Sequence, residues 1–177
     1  MQQLFRKKIY IFDVDNTLIN WSSTKTRFHD LSYSFEMKKA QQQLNQQRGL
    51  RNRPPIQLPL CAPFSIHPEI LDFWTHLRKH KHPIVIFSDL SHFELHAIFS
   101  TSQIQLIING QDIGANKPLS DGLWQCASLY GVPTSDLIFI GDQDRTDFRS
   151  AISAGAQYCD IEELKRLGWR EFYQRVT

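Results

Sequence analysis

Cysteine is scarce in this chain of 177 residues, and the sequence has no long hydrophobic run. Three cysteines, Cys61, Cys126 and Cys159, are too few for a disulfide scaffold at this length, lack metal-ligand spacing and fit a reducing compartment. No apolar stretch reaches the thickness of a bilayer, and no secretory signal precedes Asp13. We therefore expect no membrane span and a cytoplasmic location.

The sequence also lacks an excess of charge of one sign. Lys and Arg number 20 against 18 Asp and Glu, a formal net charge of +2, so nothing indicates that the chain as a whole requires nucleic acid. Glycine and proline number eight each and 41% of the residues are hydrophobic, which excludes collagen, coiled-coil rods and wholesale disorder. The length favours one domain with a substantial core and room for a small insertion.

What the sequence does contain is a series of short runs that are apolar at nearly every position. Such runs are typical of strands buried on both faces, as in a parallel sheet covered by helices. The predicted strands are Lys8–Phe12, Ile84–Phe87, Ile104–Ile108, Leu137–Ile140 and, more weakly, Ala156–Ile161. Helical periodicity lies between them, over Pro68–His80, Ser91–Ser100, Leu119–Tyr130 and Asp144–Ala154. This alternation predicts an α/β fold with a doubly wound parallel sheet.

One segment interrupts the alternation. Between positions 18 and 65 no strand pattern is visible, whereas 24–47 has a helical pattern and 48–55 is basic and contains proline. We predict a core domain formed by 1–19 and 64–177, with a small helical cap insertion at 20–63. Seven Lys and Arg residues accompany two acidic residues between positions 20 and 55. This basic segment is either a solvated surface or a means of steering an anionic substrate.

Polar side chains follow the predicted strands at the points where the strands end. In an open parallel sheet the ligand site lies beyond the carboxyl ends of the strands, so these residues should converge. They are Asp13, Asp15 and Thr17 after the first strand, Ser88 and Asp89 after the second, Lys117 beyond the third, and Asp142, Asp144 and Asp147 after the fourth. Clustered carboxylates repel one another, and one lysine cannot neutralise them all. The set therefore predicts a hard divalent cation with oxygen ligands, Mg²⁺ before others.

Phosphoryl transfer needs the groups that this set supplies. One carboxylate can attack phosphorus and form an aspartyl-phosphate, while a second protonates the leaving oxygen and then activates water. The charge on the phosphoryl oxygens is met by a metal ion, a lysine and N–H donors. Ser88 precedes a capped helix start, which favours phosphate binding there. Asp144 has a more ordinary interpretation as a helix N-cap.

Four segments resemble the motifs of the haloacid dehalogenase (HAD) superfamily, in the family's order and each at the end of a predicted strand. They are Ile11–Leu18, Ile84–Asp89, Lys117–Pro118 and Phe139–Asp147. The resemblance covers positions 7 to 161. It implies a HAD-like, Rossmann-like core with Mg²⁺ as cofactor and a helical cap inserted after the first motif.

The resemblance also implies a role for each residue of the first motif. Asp13 would be the nucleophile and a metal ligand. Asp15 would be the general acid/base, with its backbone carbonyl on the metal, and Thr17 would hold the loop after the nucleophile.

The other three motifs would bind phosphate and complete the metal site. Ser88 and the backbone N–H of Asp89 would bind the phosphoryl oxygens, and Lys117 would balance the charge on the nucleophile and the phosphoryl group. Asp142 and Asp147 would serve the metal, Asp142 as a ligand and Asp147 by orienting its surroundings. Asp144 matches no family role.

The implied function is a Mg²⁺-dependent phosphomonoester hydrolase that acts on a phosphorylated small molecule or macromolecule. A phosphotransferase or phosphomutase on the same fold is one alternative, and it would have to keep water from the intermediate. A non-catalytic phosphate-binding module is another. A dehalogenase fits poorly, because the family's dehalogenases do not use an acid at the position of Asp15.

Overall fold

Five parallel strands form a single sheet in a computed structural model that describes residues 7–18, 68–90, 95 and 106–176. The strands are β1 (Ile9–Phe12), β2 (Ile84–Ser88), β3 (Leu106–Asn109), β4 (Leu137–Gly141) and β5 (Gln157–Asp160). Their order is β3-β2-β1-β4-β5, and every neighbouring pair is parallel. The predicted α/β class and parallel sheet are confirmed.

The order of the strands places a crevice beside β1. The chain runs outward from β1 through β2 to β3 and then returns to the opposite side of β1 as β4. Ile11 accordingly pairs with Val85 on one side and with Phe139 on the other. Ligands bind at such a reversal, outside the carboxyl ends of the strands. The first and fourth sequence motifs both end there.

Helices cover both faces of the sheet. They are α1 (Pro68–Lys79), α2 (Asp121–Tyr130), α3 (Arg149–Ala154), α4 (Ile161–Leu167) and α5 (Trp169–Val176). A 3₁₀ turn, Thr134–Asp136, precedes β4, and a single π-helical turn, Asp144–Phe148, leads into α3.

Alternating residues of β1 divide the core into two layers. Tyr10 and Phe12 pack with the apolar residues of α1, α4 and α5, whereas Ile9 and Ile11 pack with those of α2 and α3. All four residues are at most 1% exposed, so β1 is buried on both faces. This burial explains why the strand is apolar throughout, as expected for a central parallel strand.

The structure corrects several predicted elements. The segment Asp144–Ala154 is a π-helical turn followed by a short helix, because the chain must first return the Asp147 side chain to the end of β4. Helices α4 and α5 were absent from the sequence prediction, although Trp169, Phe172, Tyr173 and Val176 have helical spacing.

Two of the predicted elements lie mostly or wholly outside the residues that the structure describes. The cap insertion at 20–63 lies outside the described residues. So does the predicted helix Ser91–Ser100, except for Leu95, which is helical and buried. In the parts of the chain that the structure describes, no helix is both long and apolar enough to cross a membrane.

Candidate active site

The predicted site residues meet at the carboxyl edge of the sheet, around an open pocket of about 170 Å³. Asp13 follows β1, Ser88 ends β2, Asp142 follows β4, and Lys117 lies in the loop after β3. The pocket is lined by Asp13, Asp15, Ser88, Asp89, Leu90, Lys117, Gln143 and Thr146. Leu90, Gln143 and Thr146 were not expected from the sequence, since their positions depend on how the loops fold back over the strand ends.

Lys117 lies at the centre of the polar network. Its ammonium Nζ donates to Asp13 Oδ1 at 2.5 Å and to Asp147 Oδ1 at 2.6 Å, and its side chain is only 6% exposed. Burial alone would lower the pKa of Lys117, but the two carboxylates outweigh burial and raise it. The rings of Phe87 and Phe139 lie under the ammonium group, with centroids 5.9 and 5.7 Å from Nζ. Lys117 is therefore a buried cation in a fixed position.

Asp147 is fully buried and organises the end of β4. Its Oδ2 accepts the backbone N–H groups of Asp142 and Gln143, both at 3.2 Å, while its Oδ1 accepts from Lys117. A Cβ atom at Gly141 would lie 2.3 Å from Asp147 Oδ2, so only glycine lets the carboxylate approach this closely. The π-helical turn delivers Asp147 to this position, with its own N–H donating to the Gln143 carbonyl at 2.8 Å.

Three carboxylates converge where the first and fourth motifs meet. Asp13, Asp142 and Asp147 each offer an oxygen, and these oxygens lie within 4.8 Å of one another. Thr17 Oγ1 donates to Asp142 Oδ1 at 3.3 Å and so tethers the loop after β1 to the fourth motif. The side chain of Asp15 lines the pocket but is not part of this group.

The carboxylates of this cluster are hard to keep charged without a cation. Burial and then the nearby Asp147 raise the pKa of Asp13 to about 7, although Lys117 and the Val14 N–H oppose the rise. The same two causes, burial first, raise the pKa of Asp142 to about 6. The Lys117 ammonium group does not balance the negative charge of these carboxylates. A hard divalent cation with oxygen ligands would supply the missing positive charge.

Ser88 and Asp89 shape the other wall of the pocket. Ser88 is 1% exposed, and its Oγ accepts the Leu90 N–H at 3.2 Å, which leaves the hydroxyl proton for a ligand oxygen. The carboxylate of Asp89 accepts the backbone N–H of Lys117, with both oxygens within 3.2 Å. Burial and then Asp147 raise the pKa of Asp89, opposed by Lys117. The sequence had suggested only a backbone contribution from Asp89.

The expected capping role of Asp144 is wrong. The residue at the cap position of the π-helical turn is Gln143, and its side chain makes no capping hydrogen bond. Asp144 is exposed and is not part of the carboxylate cluster. Asp147, four residues after Gln143, supplies the carboxylate that receives the local N–H groups.

Comparison with solved structures shows which fold this is. A predicted phosphoglycolate phosphatase from Haemophilus somnus 129PT is 15% identical with a TM-score of 0.63, and the match covers 88% of this chain and 85% of that one. CbbY from Rhodobacter sphaeroides, solved with phosphate, is 16% identical with a TM-score of 0.63, covering 88% and 86%. A HAD-superfamily hydrolase of subfamily IA from Geobacter sulfurreducens PCA is 16% identical with a TM-score of 0.55, covering 86% and 88%.

The chain has the fold of the HAD-superfamily hydrolases, as its four motifs had indicated. No family model matches the sequence, and no curated protein matches it. At identities of 15–16% the likeness establishes the fold, and the chemistry has to be argued from the site.

Proposed function

We propose that this protein is a Mg²⁺-dependent phosphomonoester hydrolase that forms an aspartyl-phosphate on Asp13. One observation carries the proposal: the buried Asp13 carboxylate lies in a pocket with Ser88, held by Lys117 and flanked by two further carboxylates. A nucleophile, donors for phosphoryl oxygens and a metal-binding cluster are thus within one small volume. This combination suits in-line attack on a phosphate ester.

The charge of the site supports a metal cofactor. Among the residues that the structure describes, five carboxylates surround one ammonium group: those of Asp13, Asp15, Asp89, Asp142 and Asp147. A phosphate dianion would add to this negative charge. Mg²⁺ would be held by Asp13 and Asp142, with the Asp15 carbonyl, while Asp147 would orient its surroundings; when bound, the ion supplies positive charge near the phosphoryl oxygens.

The reaction then proceeds through two displacements on the chain's own residues. A carboxylate oxygen of Asp13 attacks phosphorus, the bond from phosphorus to the ester oxygen breaks, and the Asp15 carboxyl group gives its proton to the leaving oxygen. The Asp15 carboxylate next takes a proton from water, which attacks phosphorus and breaks the bond to Asp13. Inorganic phosphate leaves, and both aspartates return to their starting states. Ser88 and the Asp89 N–H hold the phosphoryl oxygens, while Lys117 balances their charge and that of Asp13.

The molecule that accepts the phosphoryl group distinguishes this proposal from the phosphotransferase alternative. In the proposed hydrolysis the phosphoryl group passes to water, and inorganic phosphate is released. A phosphotransferase or phosphomutase would return the phosphoryl group to an added alcohol or sugar. A non-catalytic module would bind phosphate and release none.

A panel of phosphate esters, assayed with Mg²⁺ and with excess chelator, tests the proposal. The panel contains sugar phosphates, nucleotides, phosphopeptides and small carboxylated esters such as 2-phosphoglycolate. We expect phosphate release only with Mg²⁺, and none from Asp13→Asn, because the amide cannot attack phosphorus. Asp144→Asn is the matched control, since this acid of the same motif is exposed and outside the cluster. Full activity in chelator, or activity of Asp13→Asn, would reject the mechanism.

A further inference from the structure

The acidic side chain of Asp89 is unexpected in a pocket that, in the proposed function, binds phosphate. It lines the pocket beside Ser88, and a free carboxylate at that position would repel an anionic substrate. Both of its oxygens instead accept the backbone N–H of Lys117, at 3.1 and 3.2 Å. The carboxylate is therefore directed toward the lysine-bearing loop.

That loop is fastened to the end of β2 by several further hydrogen bonds. The Gly110 N–H donates to the Ser88 carbonyl at 3.0 Å, and the Asn109 side-chain amide donates to the Leu90 carbonyl at 2.9 Å. Gln111 Nε2 donates to the Asp89 carbonyl at 3.1 Å. These contacts hold the first part of the loop, whereas Lys117 lies several residues further on and is reached by the Asp89 carboxylate.

Space for the Asp89 carboxylate is provided by Gly110. A Cβ atom on Gly110 would lie 2.4 Å from Asp89 Oδ1 and 2.7 Å from Asn116 Oδ1. Asp89 and the residue before Lys117 thus pack over a glycine that lets both approach. The backbone of the loop is held where the Lys117 side chain begins.

We propose that Asp89 is a positioning residue whose carboxylate fixes the backbone N–H of Lys117 and thereby holds the lysine ammonium group between Asp13 and Asp147. A lysine side chain has four rotatable bonds, so its two short contacts at Nζ depend on where its backbone starts. Without the carboxylate, the loop relaxes and the ammonium group no longer holds both partners. In terms of the proposed function, on which this inference rests, turnover falls because charge balance at Asp13 is lost.

Substitutions at Asp89 separate positioning from simple structural support. Asp89→Ala removes the acceptor, and we expect kcat to fall about 10- to 100-fold, the scale of a misplaced catalytic group. Asp89→Asn keeps a carbonyl oxygen that can accept the Lys117 N–H, so it should recover most of that loss. The amide also removes a negative charge from the pocket, so KM for an anionic ester should fall below the wild-type value. Equal losses in kcat for the alanine and asparagine variants would overturn the proposal.

Two further variants test whether Asp89 acts through Lys117. In a Lys117→Ala background, Asp89→Ala should cause almost no additional loss, because the group it positions is already absent. Gln111→Ala, which removes a neighbouring hydrogen bond to the same strand end, should leave kcat near the wild-type value. If the double variant instead loses kcat by the product of the two single-variant factors, Asp89 does not act through Lys117 and the positioning role is contradicted.

The reactivity of the Lys117 amine provides a readout that needs no turnover. The wild-type ammonium group is buried and paired, so an amine-specific reagent should modify it slowly, as followed by peptide mass spectrometry. We expect modification to be several-fold faster in Asp89→Ala and unchanged in Asp89→Asn and Gln111→Ala. If no ester is hydrolysed but this order of reactivity holds, the proposed function fails and the positioning role stands. If esters are hydrolysed and the reactivity of Lys117 is the same in all variants, the positioning role fails.

Discussion

Asp13 is buried, yet in the proposed reaction its carboxylate has to be charged to attack phosphorus. Burial and charge conflict, because burial and Asp147 raise the pKa of Asp13 to about 7. Lys117 offsets only part of this effect, since the ammonium group is shared with Asp147. The cluster thus links the protonation of Asp13 to the presence of a cation.

The pH dependence of folding stability tests this link in the metal-free protein. The folded-state pKa of Asp13 lies above its ordinary value of 3.8, so folding favours the protonated form. That contribution to the free energy of unfolding is fully present below the unfolded-state pKa and is lost as pH rises through about 7. In chelator, thermal unfolding should show that wild type loses stability relative to Asp13→Asn between about pH 4 and about pH 7.

Mg²⁺ should remove this pH-dependent loss from the wild type, because metal binding favours deprotonated ligands. The asparagine variant cannot titrate at this position and serves as the control. If the stability of the two proteins in chelator changes in parallel with pH, the environment of Asp13 does not raise the pKa of its carboxyl group.

The convergence of several site residues could be predicted from the sequence, but the contacts of others could not. Asp13, Ser88 and Lys117 were singled out because each follows a predicted strand. The carboxylate contact of Asp89 was missed, since it joins residues 28 positions apart and depends on how the loop after β3 returns. Asp144 was assigned a cap because acids commonly cap helices, but the π-helical turn begins after Gln143.

At the level of secondary structure, the last two helices of the described chain complete the core. Asp160 caps α4 by accepting the Glu162 N–H at 2.8 Å, and Gly168 separates α4 from α5. Helix α5 then packs on α1, with the Phe172 ring edge-on to Phe73 at a centroid distance of 5.5 Å. The two helices complete one of the two core layers.

Helix α5 should contribute a large share of the folding stability. Phe172 is 1% exposed, so Phe172→Ala leaves a cavity beside Phe73, and we expect a loss of about 3–5 kcal/mol in the free energy of unfolding. Urea titration followed by circular dichroism measures this loss. Gln174→Ala, an exposed position of the same helix, should change stability by less than about 0.5 kcal/mol. Similar values for the two variants would mean that α5 does not belong to the cooperative core.

For the whole molecule, the strand order brings four distant segments of the chain to one edge of the sheet. The pocket there is negatively charged in the described residues, whereas the segment 20–55, which lies outside them, is rich in Lys and Arg. The substrate of the proposed reaction is anionic, so positive charge on the protein would attract it. Electrostatic attraction of this kind acts mainly on the association step and is weakened by salt.

Salt dependence therefore tests a steering role for the basic segment. Replacing Arg48, Arg51 and Arg53 together by Ser should lower kcat/KM for the preferred substrate and flatten its decrease with ionic strength. Hydrolysis of p-nitrophenyl phosphate should hardly change, which makes it the internal control. Equal losses on both substrates would indicate damage to the fold. No loss on either would mean that the segment is only a solvated surface.

The sequence by itself determined the buried strands and the residues that follow them. Apolar runs without alternation require a parallel sheet covered on both faces, and parallel strands must present their carboxyl ends at one edge. Asp13, Ser88 and Asp142 were therefore expected to converge there. Only the tertiary structure decided which contacts they make there. Three contacts depend on long-range packing, and no local sequence pattern encodes them. Lys117 is shared between two carboxylates, Asp147 approaches closely over Gly141, and the Asp89 carboxylate accepts the Lys117 N–H.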